Sequence, residues 1–221
     1  MLENIAIILL VVIILIMLLV KWVTPATPNY VGTGPQPAAL PYTLEDFCAY
    51  HSHLVLSPFE EGGARFLFDV KLPDADDTID MIMLAKSGAY VFEHAKAQGW
   101  ISGMEDNEKW TQHIQVGYGG KSTERKFPNP VITVNGKTKA LRKFLDNDGI
   151  HVRSIVVFPD FCLMSNIKVF NPNVRVVTLN QLLPTVVALN GKTGTNITQR
   201  DLNALFDELV EYEVIPQEEF E

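Results

Sequence analysis

Apolar residues follow three different periods along this chain. Residues 5–20 (IAIILLVVIILIMLLV) are an unbroken apolar run, extended past Lys21 by Trp22 and Val23. A helix needs roughly 17–25 apolar residues to cross a bilayer, so this stretch predicts a transmembrane anchor over 1–23. Residues 65–72, 78–85, 89–95, 151–159 and 174–179 are short segments dense in Val, Ile, Met, Phe and Tyr, which predict strands. A 3/4 spacing appears late in the chain, where Leu202, Leu205, Phe206 and Leu209 predict a packing helix over 199–212. Further helices are expected over 43–53, with acids in its first turn, over 131–144 and over 182–190.

These elements set the domain organisation. Residues 24–41 hold five prolines and two glycines with no charge, which predicts a semi-extended linker. A single α/β domain over 42–213 then fits the chain length, with an acidic tail over 214–221. The N-terminus lacks the basic n-region and small-residue cleavage site of a secretory signal, which favours a retained single span. Lys21 on the C-terminal flank orients the domain to the cytoplasm, at the inner membrane in a bacterium.

Charge narrows the function classes. The formal net charge of −8 argues against a general polyanion binder. Between residues 121 and 153, however, eight Lys/Arg stand against three Asp/Glu. A basic loop over 117–126 and the helix over 131–144 would present Lys121, Arg125, Lys126, Lys137, Lys139, Arg142 and Lys143 either to solvent or to DNA phosphates. The two cysteines, Cys48 and Cys162, sit far apart among apolar neighbours, and free buried thiols are expected. His51 and His53 form a weak zinc pattern.

The chemistry concentrates in the hairpin over 78–95. Its strands are apolar on both faces except for Asp80 and Glu93. If the loop is Lys86-Ser87, position 80 lies opposite position 93, and Cβ atoms of such pairs are roughly 5 Å apart. Two carboxylates that close in an apolar setting need a cation between them or a shared proton. Oxygen ligands suit Mg²⁺ or Mn²⁺.

The order Thr78-Ile79-Asp80, Ser87-Gly88, Val91-Phe92-Glu93, Gly99-Trp100-Ile101-Ser102-Gly103, Trp110, Asn129-Pro130 and Ser154-Ile155-Val156-Val157-Phe158 resembles the nuclease-related domain (NERD) family. That family is a branch of the PD-(D/E)XK nucleases. The resemblance implies a PD-(D/E)XK-like mixed sheet flanked by helices, following the transmembrane helix. It also implies a metal on Asp80 and Glu93, with water attacking a DNA phosphodiester.

Three positions depart from the family pattern. The lysine two residues after the glutamate is Ala95, and Lys96 would serve as catalytic charge stabiliser only if a bulge re-aimed it. Thr133 replaces a glutamine and Lys137 a histidine. The departures weight the expectation toward a non-catalytic or weakly active binding or scaffold module. Such a module would belong to a membrane-associated assembly with protein partners, linked to DNA processing or transfer. The alternative is a divalent-metal-dependent nuclease that cleaves DNA.

Overall fold

The computed structural model describes residues 44–73, 75–115, 122–147, 149–191 and 197–214. The expected anchor over 1–23 and linker over 24–41 lie outside these residues, as does the tail beyond 214. Among the described residues no helix is long and apolar enough to cross a membrane.

The elements run α1 (Leu44–Leu56), α2 (Pro58–Glu61), β1 (Arg65–Val70), β2 (Ile79–Ala85), β3 (Gly88–His94), β4 (Trp100–Met104), β5 (Lys109–Gln115), β6 (Ser122–Pro128), α3 (Pro130–Leu145), β7 (Val152–Phe158), β8 (Leu163–Lys168), β9 (Val174–Thr178), α4 (Leu179–Asn190) and α5 (Gln199–Leu209). The expected strands and helices are present. The single mixed sheet is instead two sheets, β1-β2-β3-β7-β9 and β6-β5-β4-β8. The first is antiparallel through β1, β2 and β3 and parallel through β3, β7 and β9.

Residues 122–126, expected in a basic loop, belong to β6. The side chains of β6 show no buried stripe, and all but Phe127 are exposed. The strand forms because its backbone completes a ladder with β5 from Lys109↔Pro128 to Gln115↔Ser122. A ladder at a sheet edge needs no apolar alternation, so periodicity cannot detect it.

β2 is buried at every position and β3 at all but Glu93. On one face Ile82, Leu84, Ala89, Val91 and Val156 pack with α3 and α5, through Val134, Leu141, Leu202 and Leu209. On the other face Met81, Met83, Tyr90, Phe92 and Val157 pack with α1 and α4, through Cys48, Leu56, Leu182 and Val186. The sheet is therefore covered on both sides, which explains its continuous apolar strands. Cys48 and Cys162 are both free and buried. Burial pushes their thiols up to about 11 and about 12, which suits packing rather than nucleophilic work.

The hairpin has the tight loop expected, with Ala85 opposite Gly88 across Lys86-Ser87. Gly88 is required there on two counts. Its φ is +127°, and a Cβ would stand 2.2 Å from the His151 carbonyl oxygen at the entry to β7. Gly88→Ala is expected to cost roughly 2–4 kcal/mol in urea unfolding, combining backbone strain and overpacking. An unchanged midpoint would contradict this close approach.

Candidate active site

Strand period places the site. Residues 80, 82 and 84 of β2 share a face with residues 89, 91 and 93 of β3, the face that α3 covers. The register runs Met81↔Phe92, Ile82↔Val91 and Met83↔Tyr90, and its continuation sets Asp80 opposite Glu93 as expected. Both lie at the end of the hairpin away from the turn, where the sheet opens into a cleft of about 540 Å³.

The cation between the two carboxylates is the ammonium of Lys137. Its Nζ donates to Asp80 Oδ1 and to Glu93 Oε2, each at 2.5 Å. Lys137 is 7% exposed. It reaches the site because α3 buries Val131, Val134, Thr138 and Leu141, and residue 137 lies on that same stripe. The helix is pinned at its start by Asn129. The Asn129 side chain accepts from Val131 N at 2.9 Å and donates to the carbonyls of Met104, Glu105 and Asn107. Thr138 also meets Ser154 of β7 at 2.7 Å, which fixes the height of the helix over the sheet.

The second oxygen of Asp80, Oδ2, accepts from the backbone N–H of His94 at 2.8 Å. The His94 ring packs on the opposite side of β3 from Glu93, toward α1. Its Nδ1 lies 3.4 Å from the same Oδ2 without completing a hydrogen bond.

These surroundings separate the charge states of the two acids. Burial pushes Glu93 up to about 7, the Asp80 charge adds to the rise, and Lys137 only partly offsets it. Burial would also raise Asp80, but the His94 ring beside Oδ2 and the Lys137 charge outweigh it and hold Asp80 below the usual carboxylate range. Burial opposes the charge on Lys137, yet the two acids overcome this and raise it above an ordinary lysine. A lysine so held is a fixed positive charge, not a proton acceptor.

The other expected site residues are distributed as follows. Lys96 is exposed and lines the cleft mouth beside Ala95, whose own side chain is buried. Thr133 also lines the cleft, at the first turn of α3. Arg125 and Lys126 are exposed on β6, and Lys139 and Lys143 are exposed on α3. Arg142 turns back to donate to the Val152 carbonyl at 2.7 Å. Lys121 lies outside the described residues. Lys137 leaves the expected basic surface for the cleft. The signal for this lies in the spacing, since Lys137 stands three residues after Val134 and four before Leu141, on the helix face of those apolar positions. His51 and His53 form no zinc site: in helical α1 they point apart, His51 to the Phe47 carbonyl and His53 to Glu60.

The raised Glu93 makes stability pH-dependent. A carboxyl whose folded value exceeds its ordinary 4.5 favours the fold most below that value, and the contribution is lost as pH rises to about 7. Asp80 stays ionised across this window. Glu93→Gln carries no such loss. In metal-free buffer, its stability relative to the parent is expected to improve between pH 4.5 and 8 by up to about 3 kcal/mol. Urea unfolding at both pH values checks this, and a constant difference would mean that Glu93 ionises as if in solvent.

The sequence model of one family, described as the nuclease-related domain, matches residues 47–159. The match spans α1 through β7 and so contains Asp80, Glu93, Ala95, Thr133 and Lys137. No curated protein and no solved structure matches the chain. With two mixed sheets flanked by helices and the paired carboxylates at the hairpin end, the chain belongs to the nuclease-related domain (NERD) family.

Proposed function

We propose that the cleft hydrolyses phosphodiester bonds of nucleic acid, with Asp80 and Glu93 holding a divalent cation and Lys137 supplying a fixed charge beside it. The observation that carries this reading is the Lys137 ammonium at 2.5 Å from both carboxylates. The weight toward a non-catalytic module rests on Thr133 and on Ala95, where the family places its lysine. An ammonium delivered from α3 to the same pair of acids answers the Ala95 departure.

The donor set suits Mg²⁺ or Mn²⁺. The Lys137 ammonium holds the point where Asp80 Oδ1 and Glu93 Oε2 converge, so a divalent cation would bind beside it on hard carboxylate oxygens, and Mg²⁺ commonly takes one or two carboxylates and completes its shell with water and substrate phosphate. Among the described residues no group of three His, Cys, Asp or Glu offers a fuller cage. The cleft also needs added positive charge before a phosphate can enter. Asp69, Asp77, Asp80 and Glu93 line it against Lys96 and Lys137. When bound, the cation would neutralise phosphoryl oxygens and acidify an attacking water.

The protein's own residues supply the rest. Lys137 is buried and fixed by two acceptors, so it is preorganised to oppose negative charge that grows on the phosphoryl oxygens. Glu93, raised to about 7 in the metal-free protein, must lose its proton before it can serve as an anionic ligand, so Mn²⁺ binding should strengthen as pH rises toward neutrality. Hydrolysis forms a bond from the water oxygen to phosphorus, breaks one ester bond, and passes a proton to the leaving oxygen. Phe127 and Pro128 of β6 and Pro130 and Thr133 of α3 border the cleft. Arg125, which shares a strand face with Phe127, would then meet a flanking phosphate. The apolar run over 5–20 would hold this activity at a membrane, with the domain on the cytoplasmic side.

The test is cleavage of single- and double-stranded DNA by the full chain with Mn²⁺, alongside calorimetric Mn²⁺ binding. Lys137→Met is expected to lose about 10²–10³ in rate. Adding Ala95→Lys to Lys137→Met should recover part of that loss, because residue 95 shares the strand face of Glu93. Lys96→Ala should stay within roughly threefold of the parent, given its exposure. No cleavage by the parent chain, with or without Mn²⁺ binding, would return the domain to a binding or scaffold role.

A further inference from the structure

Behind the carboxylate pair, on the α1 side of the sheet, three side chains line up in the order serine, histidine, aspartate. Ser52 Oγ of α1 lies 3.1 Å from His94 Nε2, and His94 Nδ1 lies 3.4 Å from Asp80 Oδ2. Ser52 is fully buried and His94 is 1% exposed, so Ser52 cannot meet a substrate and is no nucleophile. The row must act on Asp80 from within.

Its direction follows from electrostatics. A bare Nδ1 would aim its lone pair at a carboxylate oxygen 3.4 Å away, with no donor among the described residues to satisfy it. Placing the ring proton on Nδ1 turns that contact from repulsive to attractive. A neutral imidazole protonated at Nδ1 has a bare Nε2, which then needs a donor. The Ser52 hydroxyl is positioned to be that donor. The alternative tautomer satisfies Nε2 by donating to Ser52 but leaves Nδ1 opposed to Asp80. The backbone N–H of His94 holds Oδ2 at 2.8 Å and the ring Nδ1 stands 3.4 Å from the same oxygen, while Oδ1 faces Lys137.

We infer that Ser52 and His94 form a directed relay, with Ser52 Oγ–H donating to Nε2 and Nδ1–H facing Asp80 Oδ2 as an electrostatic contact, that holds the Asp80 carboxylate at its angle in the cleft. His94 and Ser52 are thus positioning residues for the site. The kinetic part of this inference rests on the nuclease reading, whereas the tautomer does not. Strand alternation makes the device possible. Adjacent residues of β3 point to opposite faces, so Glu93 works in the cleft while His94 braces the opposing acid from behind. Partners of this kind behind a ligand carboxylate typically change metal affinity or activity by 10–100-fold.

The deciding experiment is ¹⁵N NMR of the full chain labelled at histidine, with the His94 signals identified by their loss in His94→Asn. The expected parent spectrum shows one His94 tautomer, protonated at Nδ1 and bare at Nε2. Ser52→Ala should convert this to a mixture. His94→Phe should lower Mn²⁺ affinity or kcat about tenfold while the KM for DNA stays unchanged. His94→Asn, whose amide can offer an N–H near the Nδ1 position, should recover most of that loss. A parent spectrum with the proton on Nε2, a His94 spectrum unmoved by Ser52→Ala, or equal losses in His94→Phe and His94→Asn would each overturn the relay. The tautomer is read on the resting protein, so the two readings fail separately. A chain that shows the Nδ1–H tautomer yet cleaves no DNA removes the nuclease reading alone, and one that cleaves DNA with Nε2–H removes the relay alone.

Discussion

Two carboxylates pressed together at the end of a buried hairpin cannot both be ionised without a cation, and the site is arranged around that constraint. Lys137 satisfies it at 2.5 Å from each acid. Removing one partner from such a group leaves uncompensated charge in a poorly solvated place, which typically costs 3–5 kcal/mol. The interaction therefore links α3 to β2 and β3 beside the apolar contacts of Val134 and Leu141. The Asn129 cap and the Thr138–Ser154 contact make the same helix placement, so packing, hydrogen bonding and charge agree on where Nζ must lie.

Family membership and geometry meet at this point. A lysine two residues past the glutamate reaches the acids along the strand, because period 2 keeps both side chains on one face. A lysine on α3 reaches them across the gap between helix and sheet. The charge delivered is the same, but the structural dependence differs. A strand lysine is positioned by the hairpin alone, whereas Lys137 is positioned only when α3 is docked. The site is thereby coupled to the Asn129 anchor and to the loop after β4 that Asn129 holds.

β3 carries the two halves of the arrangement on consecutive residues. Glu93 opens onto the cleft and His94 onto the packed face beneath α1. Asp80 is gripped from both sides, by Lys137 at one oxygen and by His94 at the other. Glu93, which lacks the second grip, is the acid whose proton is held near neutrality. The difference between two chemically similar carboxyls thus comes from what each touches.

Much of this could be read before folding. The apolar runs marked β2, β3, β7 and β9, the short loop implied that residues 80 and 93 face each other, and the 3/4 spacing marked α5. Those inferences rest on local periodicity and turn chemistry, which depend on near neighbours in sequence. The polar strand β6 was not readable, because a ladder at a sheet edge is formed by backbone groups that every residue has. Lys137 was counted with the basic surface because charge counting ignores which face of a helix is covered. Strand period and a short loop set the two acids opposite each other and leave them a cation or a shared proton. Tertiary structure decided that a helix 44 residues beyond Glu93 would supply the cation, and that His94 would face Asp80 from behind, because docking distances between elements are set by packing that no local pattern encodes.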